Sequence, residues 1–245
     1  MTNAVQKKIS IVMPTHEMGG KGIKYFDQQF AAILQQTTKD FDLVVSDQST
    51  DNLIENRCEY YSDRVDIKYH RFDGPRRAAN NFNNAMKLAT SEILKPLFVD
   101  DRMFRADTLE TYIRIHDENP NHHWAFTGFI HCLDDADGFD KEMKLINPQI
   151  PVWNPEIYLY NTTGCPSGMS ILNHEEMPTM DDTFMWVNDV EWYMRLYLKY
   201  DFPVLYDDIH TLIRIHEESV TSHINDDTKQ SENERVRQMY DGVTK

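Results

Sequence analysis

The chain reads as an α/β domain with a mostly parallel sheet flanked by helices. Three observations predict it. Strand-like apolar runs alternate with helical patterns of about a dozen residues through the first hundred positions, the order that produces βαβ units. Residues 93–101 (ILKPLFVDD) form an apolar run without helical period that stops in two adjacent carboxylates, as a buried parallel strand does at the edge of its sheet. No repeat, low-complexity tract or linker divides the 245 residues, so residues 1–245 are expected to form one domain.

The elements follow in order. Residues 9–13 are a short apolar strand stopped by Pro14. Residues 25–36 carry Phe26, Phe30, Ile33 and Leu34 at the spacing of an amphipathic helix. Residues 41–46 form the next strand and run into the turn-forming Ser46-Asp-Gln-Ser-Thr-Asp51. Residues 65–72 alternate like a strand, 77–89 read as a helix, and 94–99 are the strand that leads to the acid pair. The second half is less regular. Residues 124–131 are a strand, and 134–155, rich in charge, Pro and Asn, read as a loop or lid. Residues 164–168 (Gly-Cys-Pro-Ser-Gly) are a tight polar loop that leads into the apolar 169–172. Residues 187–200 are the strongest helix, with Val187, Val190, Met194 and Tyr197 on one face. Asn188 is placed to cap it, which leaves Asp189 and Glu191 in the first turn. Residues 204–216 are strand-like and 226–240 form a mostly polar helix.

Composition excludes several classes. With 25 basic and 40 acidic side chains the net charge is −15, which argues against a nucleic-acid backbone or an anionic lipid surface as partner. A local basic patch at Arg76-Arg77 remains available for a phosphate. Cys58, Cys132 and Cys165 lack the spacing of a disulfide framework or a zinc site and read as reduced thiols. Residues 1–10 carry no apolar signal core, and no stretch approaches the ~20 apolar residues of a membrane span. A soluble, cytoplasmic protein is expected.

Asp100 and Asp101 would sit at the carboxyl end of their strand, where open α/β sheets bind ligands. Two acids at such a mouth repel one another unless they are neutralised. Magnesium or manganese carrying a diphosphate would do so; a plain solvated turn is the other reading of the pair.

Six segments follow one another in a set order: Ser10-Ile-Val-Met-Pro-Thr15, Val44-Val-Ser-Asp-Gln-Ser-Thr-Asp51, residues 80–89 with Ser91-Glu92, Asp100-Asp101, Asn188-Asp-Val-Glu191, and Arg214-Ile-His-Glu-Glu-Ser-Val-Thr221. Together they resemble family 2 glycosyltransferases of the GT-A type, which use nucleotide sugars. The resemblance implies a single GT-A domain, with a Rossmann-like nucleotide-binding half (1–102) and an acceptor-binding, catalytic half (103–245). It implies metal-dependent, inverting transfer of a sugar from a nucleotide diphosphate, UDP by family habit, to a carbohydrate or other hydroxyl acceptor.

Carried over by position, Pro14, Thr15 and Asp47 would hold base and ribose, with Glu17 in the adjoining variable position. A carboxylate at Asp47 can accept the N3–H of a uracil. Asp100 would face the ribose, Arg77 the donor phosphates, and Gly168 the sugar pocket, where a small-residue loop lets backbone approach a ligand. Asp101 and His216 would hold Mn2+ or Mg2+, imidazole favouring manganese, and Arg214, Ser219 and Thr221 would serve the diphosphate. Asp189, kept ionised by the helix dipole, would be the general base. Trp153 is the tryptophan expected to meet acceptor. The family's usual acid motif is Asp-any-Asp, and Arg102 stands here in place of the second acid. Two competing readings remain at this level. A nucleotidyltransferase would use Met18-Gly-Gly-Lys-Gly22 as a phosphate loop, and a degenerate reader would bind a nucleotide sugar or glycan without turnover.

Overall fold

The computed structural model describes residues 6–133 and 145–243. Its first half runs β1 (Ile9–Thr15), α1 (Gly22–Leu34), β2 (Phe41–Asp47), α2 (Leu53–Tyr61), β3 (Ile67–Arg71), α3 (Ala78–Leu88) and β4 (Ile93–Pro96). β1 pairs in parallel with both β2 and β4, and β2 with β3. Then come β5 (Arg102–Met103), α4 (Thr108–Glu118), β6 (Trp124–Leu133), β7 (Leu145–Gln149), β8 (Met169–Leu172), α5 (Asn188–Tyr200), β9 (Val204–Ile215), α6 (Val220–His223) and α7 (Asp226–Tyr240). One sheet holds all the strands in the order β3-β2-β1-β4-β8-β6-β9-β5, with β7 on β6. β8 runs antiparallel to β4 and β6, whereas β6 and β9 are parallel.

Side-chain alternation along the strands divides the core into two layers. Ile9, Ile11 and Met13 of β1 face Phe26 and Phe30 of α1 and Leu109 and Tyr112 of α4. Val12 faces the other way, with Phe82 of α3, Trp192 and Tyr193 of α5, and Val236 of α7. Strands buried on both faces explain why residues 9–13 and 41–46 read as continuous apolar runs.

Several expectations are corrected. α2 and α4 were not anticipated in the sequence, because Glu55, Arg57 and Glu59 or Glu110, Arg114 and Glu118 dilute their apolar stripes. The acid pair does not end a strand: β4 stops at Pro96, and Leu97 to Asp101 form a turn closed by the Asp101 amide on the Phe98 carbonyl at 3.0 Å. Part of the expected loop 134–155 is strand, since residues 145–149 pair with β6; residues 134–144 lie outside the described set. Asn188 is the first helical residue of α5 and not its cap. Val187 holds the cap position and offers no side-chain acceptor. Trp153 is half-buried and packs against the core, its ring 5.0 Å from that of Trp124 and 5.4 Å from that of Tyr197, and it is not among the residues lining the cavity at the carboxyl ends of β1, β2 and β4.

Candidate active site

A cavity of about 550 Å³ opens at the carboxyl ends of β1, β2 and β4. That is where crossover connections leave strand ends uncovered in an α/β sheet. Pro14, Glu17, Gln48, Arg76 and Arg77 line one side, Asp100, Asp101 and Cys165 the floor, and Trp186, Asn188 and Asp189 the far side. Arg214, Ser219 and Thr221 also contribute to the wall. Sites of this volume take ligands of cofactor size.

The floor is built on charge. His216 Nε2 lies 3.0 Å from Asp100 Oδ2, and the imidazole is almost fully buried against the Tyr25 ring. The Arg214 side chain donates to the Asp100 carbonyl at 2.9 Å and lies over Tyr25. Asp101 is 5% exposed. It accepts from the Arg214 amide at 3.3 Å and from the Cys165 thiol at 3.6 Å. Burial, with the neighbouring Asp100 charge, pushes its carboxyl up to about 7. Thus the imidazole pairs with Asp100, and Asp101 lies beside them as a carboxyl poorly solvated in its charged form. Arg102 pairs through β5 with Leu212 of β9 and is not among the residues lining the cavity.

Asp189, in the first turn of α5, accepts from the Val190 amide at 2.7 Å and from the Asn161 side chain at 3.2 Å. Burial pushes it up to about 6, against the pull of the Val190 amide and its own. The dipole and nearby amides expected to keep this acid ionised meet an opposing effect, since lost hydration lifts it above an ordinary aspartate. A carboxylate near 6 is still mostly ionised at neutral pH and is a stronger base than an ordinary one. Glu191, two residues on, is turned away and buried, held by Nε and Nη2 of Arg195 at 2.7 and 2.6 Å.

Three predicted donor residues stand behind the wall. Asp47 is fully buried and accepts from Thr15 Oγ1, Ser49 N and Oγ, and the Tyr69 hydroxyl, at 2.6 to 3.1 Å. Thr15 is equally buried, and its carbonyl accepts from Asn81. Gly168 does not line the cavity, and its carbonyl accepts from the Tyr112 hydroxyl at 2.8 Å. It is Gly164, with φ of 100°, whose backbone requires glycine: a Cβ there would sit 2.4 Å from the Phe129 ring. Replacing Asp47 by alanine strands several buried hydroxyls, each at a cost of about 1–3 kcal/mol. The expected result is a clear loss of stability in urea denaturation. An unchanged midpoint with weakened UDP binding would instead mark Asp47 as a direct ligand.

Sequence reasoning missed the platform under the floor. Lys95 is fully buried in β4. Its ammonium donates to the Pro96 carbonyl at 2.7 Å and to the Ser167 carbonyl, and faces the Tyr112 ring at 5.0 Å. Burial pulls it down to about 7, with Cys165 and Asp101 pulling the other way. Ser167 Oγ in turn accepts from the Phe98 amide, at the turn that carries the acid pair. A lysine inside an otherwise apolar run was the available signal.

The chain belongs to glycosyl transferase family 2, whose model matches residues 10–163. Its fold is the GT-A fold of the solved glycosyltransferases it resembles. S. aureus TarS 1-349 in complex with UDP-GlcNAc is similar in structure, with TM-score 0.65 and 21% identity over 89% of this chain. So is the mannosyltransferase PcManGT from Pyrobaculum calidifontis in complex with GDP-Man and Mn2+, with TM-score 0.58 and 14% identity over 86% of this chain. The chain spans 61% of the first, 57% of the second, and 37% of a longer TarS chain. No curated relative matches it in sequence. Among the described residues no helix is long and apolar enough to cross a membrane.

Proposed function

We propose that the protein moves a sugar from a nucleotide-diphosphate sugar, UDP-linked by preference, to a hydroxyl acceptor with inversion at the anomeric carbon. One observation carries the reading: a single cavity holds the acid pair on its floor and Asp189 on its far side. Asp189 takes the acceptor hydroxyl's proton as that oxygen attacks the anomeric carbon, and the bond to the diphosphate breaks on the opposite face. No covalent enzyme intermediate is needed. The UDP-GlcNAc held by TarS and the GDP-Man held by PcManGT support the donor class. Residues 1–102 would bind the nucleotide and 103–245 the acceptor. Pro14, Glu17, Arg77 and Asp100 would meet the donor, while Thr15, Asp47 and Gly168 would shape its wall from behind.

Among the described residues no cluster of three acidic, histidine or cysteine ligands is preformed, so a divalent ion would be held by a pair of side chains together with the donor's phosphates. Asp100 and His216 bring an oxygen and an imidazole nitrogen within 3.0 Å of one another, and Asp101 adds a carboxyl that a cation would relieve of its cost. Manganese or magnesium held there would offset the charge of the leaving diphosphate. Three free cysteines support a reducing, cytoplasmic compartment.

The nucleotidyltransferase reading is disfavoured by Glu218, whose carboxylate lies 3.4 Å from where a Gly19 Cβ would stand, so the glycine-rich turn faces an acid. Product analysis with UDP- and GDP-sugars, with manganese or with chelator, tests the reading. Free UDP is the expected product. Pyrophosphate would mean nucleotidyl transfer, and binding without release would mean a degenerate reader.

A further inference from the structure

α5 begins without a side-chain cap of its own, yet the backbone entering it is tied down from far along the chain. The amides of Met185, Trp186 and Val187 all point at one carboxylate, Glu232 of α7, at 2.8, 2.7 and 3.3 Å. Glu232 is 9% exposed, whereas most of α7 is polar and solvated. The buried residues of α7 are Glu232, Val236 and Tyr240, spaced i, i+4, i+8 on one face. Val236 enters the apolar core. The Tyr240 hydroxyl donates to Glu191 Oε1 at 2.9 Å, on the carboxylate that Arg195 also holds. Arg235 adds a hydrogen bond to Thr183 Oγ1 at 2.8 Å and lies over the Phe184 ring.

These contacts fall at residues 183, 184, 185 to 187 and 191, and so bracket Asp189 on both sides. Three amides on one carboxylate are charge-assisted bonds, stronger than neutral ones. They also place an anion before a helix N-terminus, where the dipole favours it. Trp186, Asn188 and Asp189 line the cavity, so the backbone that Glu232 holds is the wall of the site.

We infer that Glu232 is a positioning residue for Asp189: it fixes the backbone entering α5 and thereby the placement of the base, which makes the C-terminal helix a working part of the active site. The inference rests on Asp189 being the base.

The test makes Glu232→Ala and Glu232→Gln in the native protein and in the Asp189→Asn background. The probe is UDP-GlcNAc with manganese. The readouts are kcat and KM for UDP release, UDP affinity by calorimetry, and amide exchange over residues 185–191. Misplacing a reacting group by about 1 Å costs about 10²-fold, so Glu232→Ala is expected to lower kcat about 10- to 100-fold. KM and UDP affinity should stay within about twofold on the same argument. Glu232→Gln keeps one acceptor oxygen and should restore much of the rate and the protection at 185–187. In the Asp189→Asn background Glu232→Ala should cost nothing further.

An equal fold-loss in both backgrounds, or a parallel loss of UDP affinity, would make Glu232 a general support of the fold and overturn the inference. A near-native rate in Glu232→Ala beside a slow Asp189→Asn overturns it alone. A near-native rate in Asp189→Asn sinks the base assignment, and the inference with it. Where circular dichroism finds Glu232→Ala unfolded, Glu232→Gln carries the comparison, and a native rate with protection lost at 185–187 overturns the inference.

Discussion

Asp189→Asn is expected to lower sugar transfer by about 10²–10⁴-fold, the range typical of losing a general base, while UDP affinity hardly moves. The amide keeps the shape of the carboxylate and one acceptor oxygen for the Val190 amide, losing only the exposed bond from the Asn161 side chain, so the fold survives. It cannot take a proton. The pH profile gives a second handle on the same residue. Because burial pushes Asp189 up to about 6, kcat should fall as pH drops below that value, when the base becomes protonated. An ordinary carboxylate would hold its rate to about pH 4. Transfer at a near-native rate would mean that another group is the base, and Glu191, locked to Arg195 and Tyr240, is a poor substitute. Collapse of UDP binding in the same variant would move Asp189 to the donor side and reverse the orientation proposed for the pocket.

What was legible in the sequence follows from how each signal is encoded. Strands buried on both faces write themselves as continuous apolar runs, so β1, β2 and β6 could be read directly. The helices 22–34, 78–88 and 226–240 carry their pattern locally and were also placed within a few residues. The cavity residues Pro14, Arg77, Asp100, Asp101 and Asp189 could be named because each stands where an apolar run or a helix pattern begins or breaks off in the sequence. The rest depends on contacts distant in the chain. Nothing near Asp47 announces that Tyr69 and Ser49 satisfy its carboxylate, so its burial could not be read from residues 46–51. The partnership of His216 with Asp100 spans 116 residues, and the hold of Glu232 on residues 185–187 spans 45 to 47. The upward shift of Asp189 is likewise a matter of packing, since its local sequence predicts the opposite sign.

Removing the charge of Asp101 should have the other large effect, with opposite signs for stability and for ligand binding. The folded protein holds this carboxyl at about 7 because burial and Asp100 oppose its ionisation, against about 3.9 for an unperturbed aspartate. Between those values the native state binds a proton that the unfolded chain has released, so the contribution of Asp101 to stability falls as pH rises from 4 to 7. Asp101→Asn escapes that fall. It should match the native protein near pH 4 and exceed it at pH 8, read by urea denaturation without metal. With manganese and UDP present the order should reverse, because ligand binding stabilises only a protein that can hold it. Asp100→Asn and His216→Ala complete the comparison, since their side chains already stand 3.0 Å apart. If Asp101→Asn keeps manganese-supported UDP binding while those two lose it, the ion belongs to Asp100 and His216, and Asp101 only repels. If instead Asp101→Asn is several kcal/mol less stable at pH 8 without metal, its bonds to the Arg214 amide and Cys165 outweigh its repulsion, and the residue is structural.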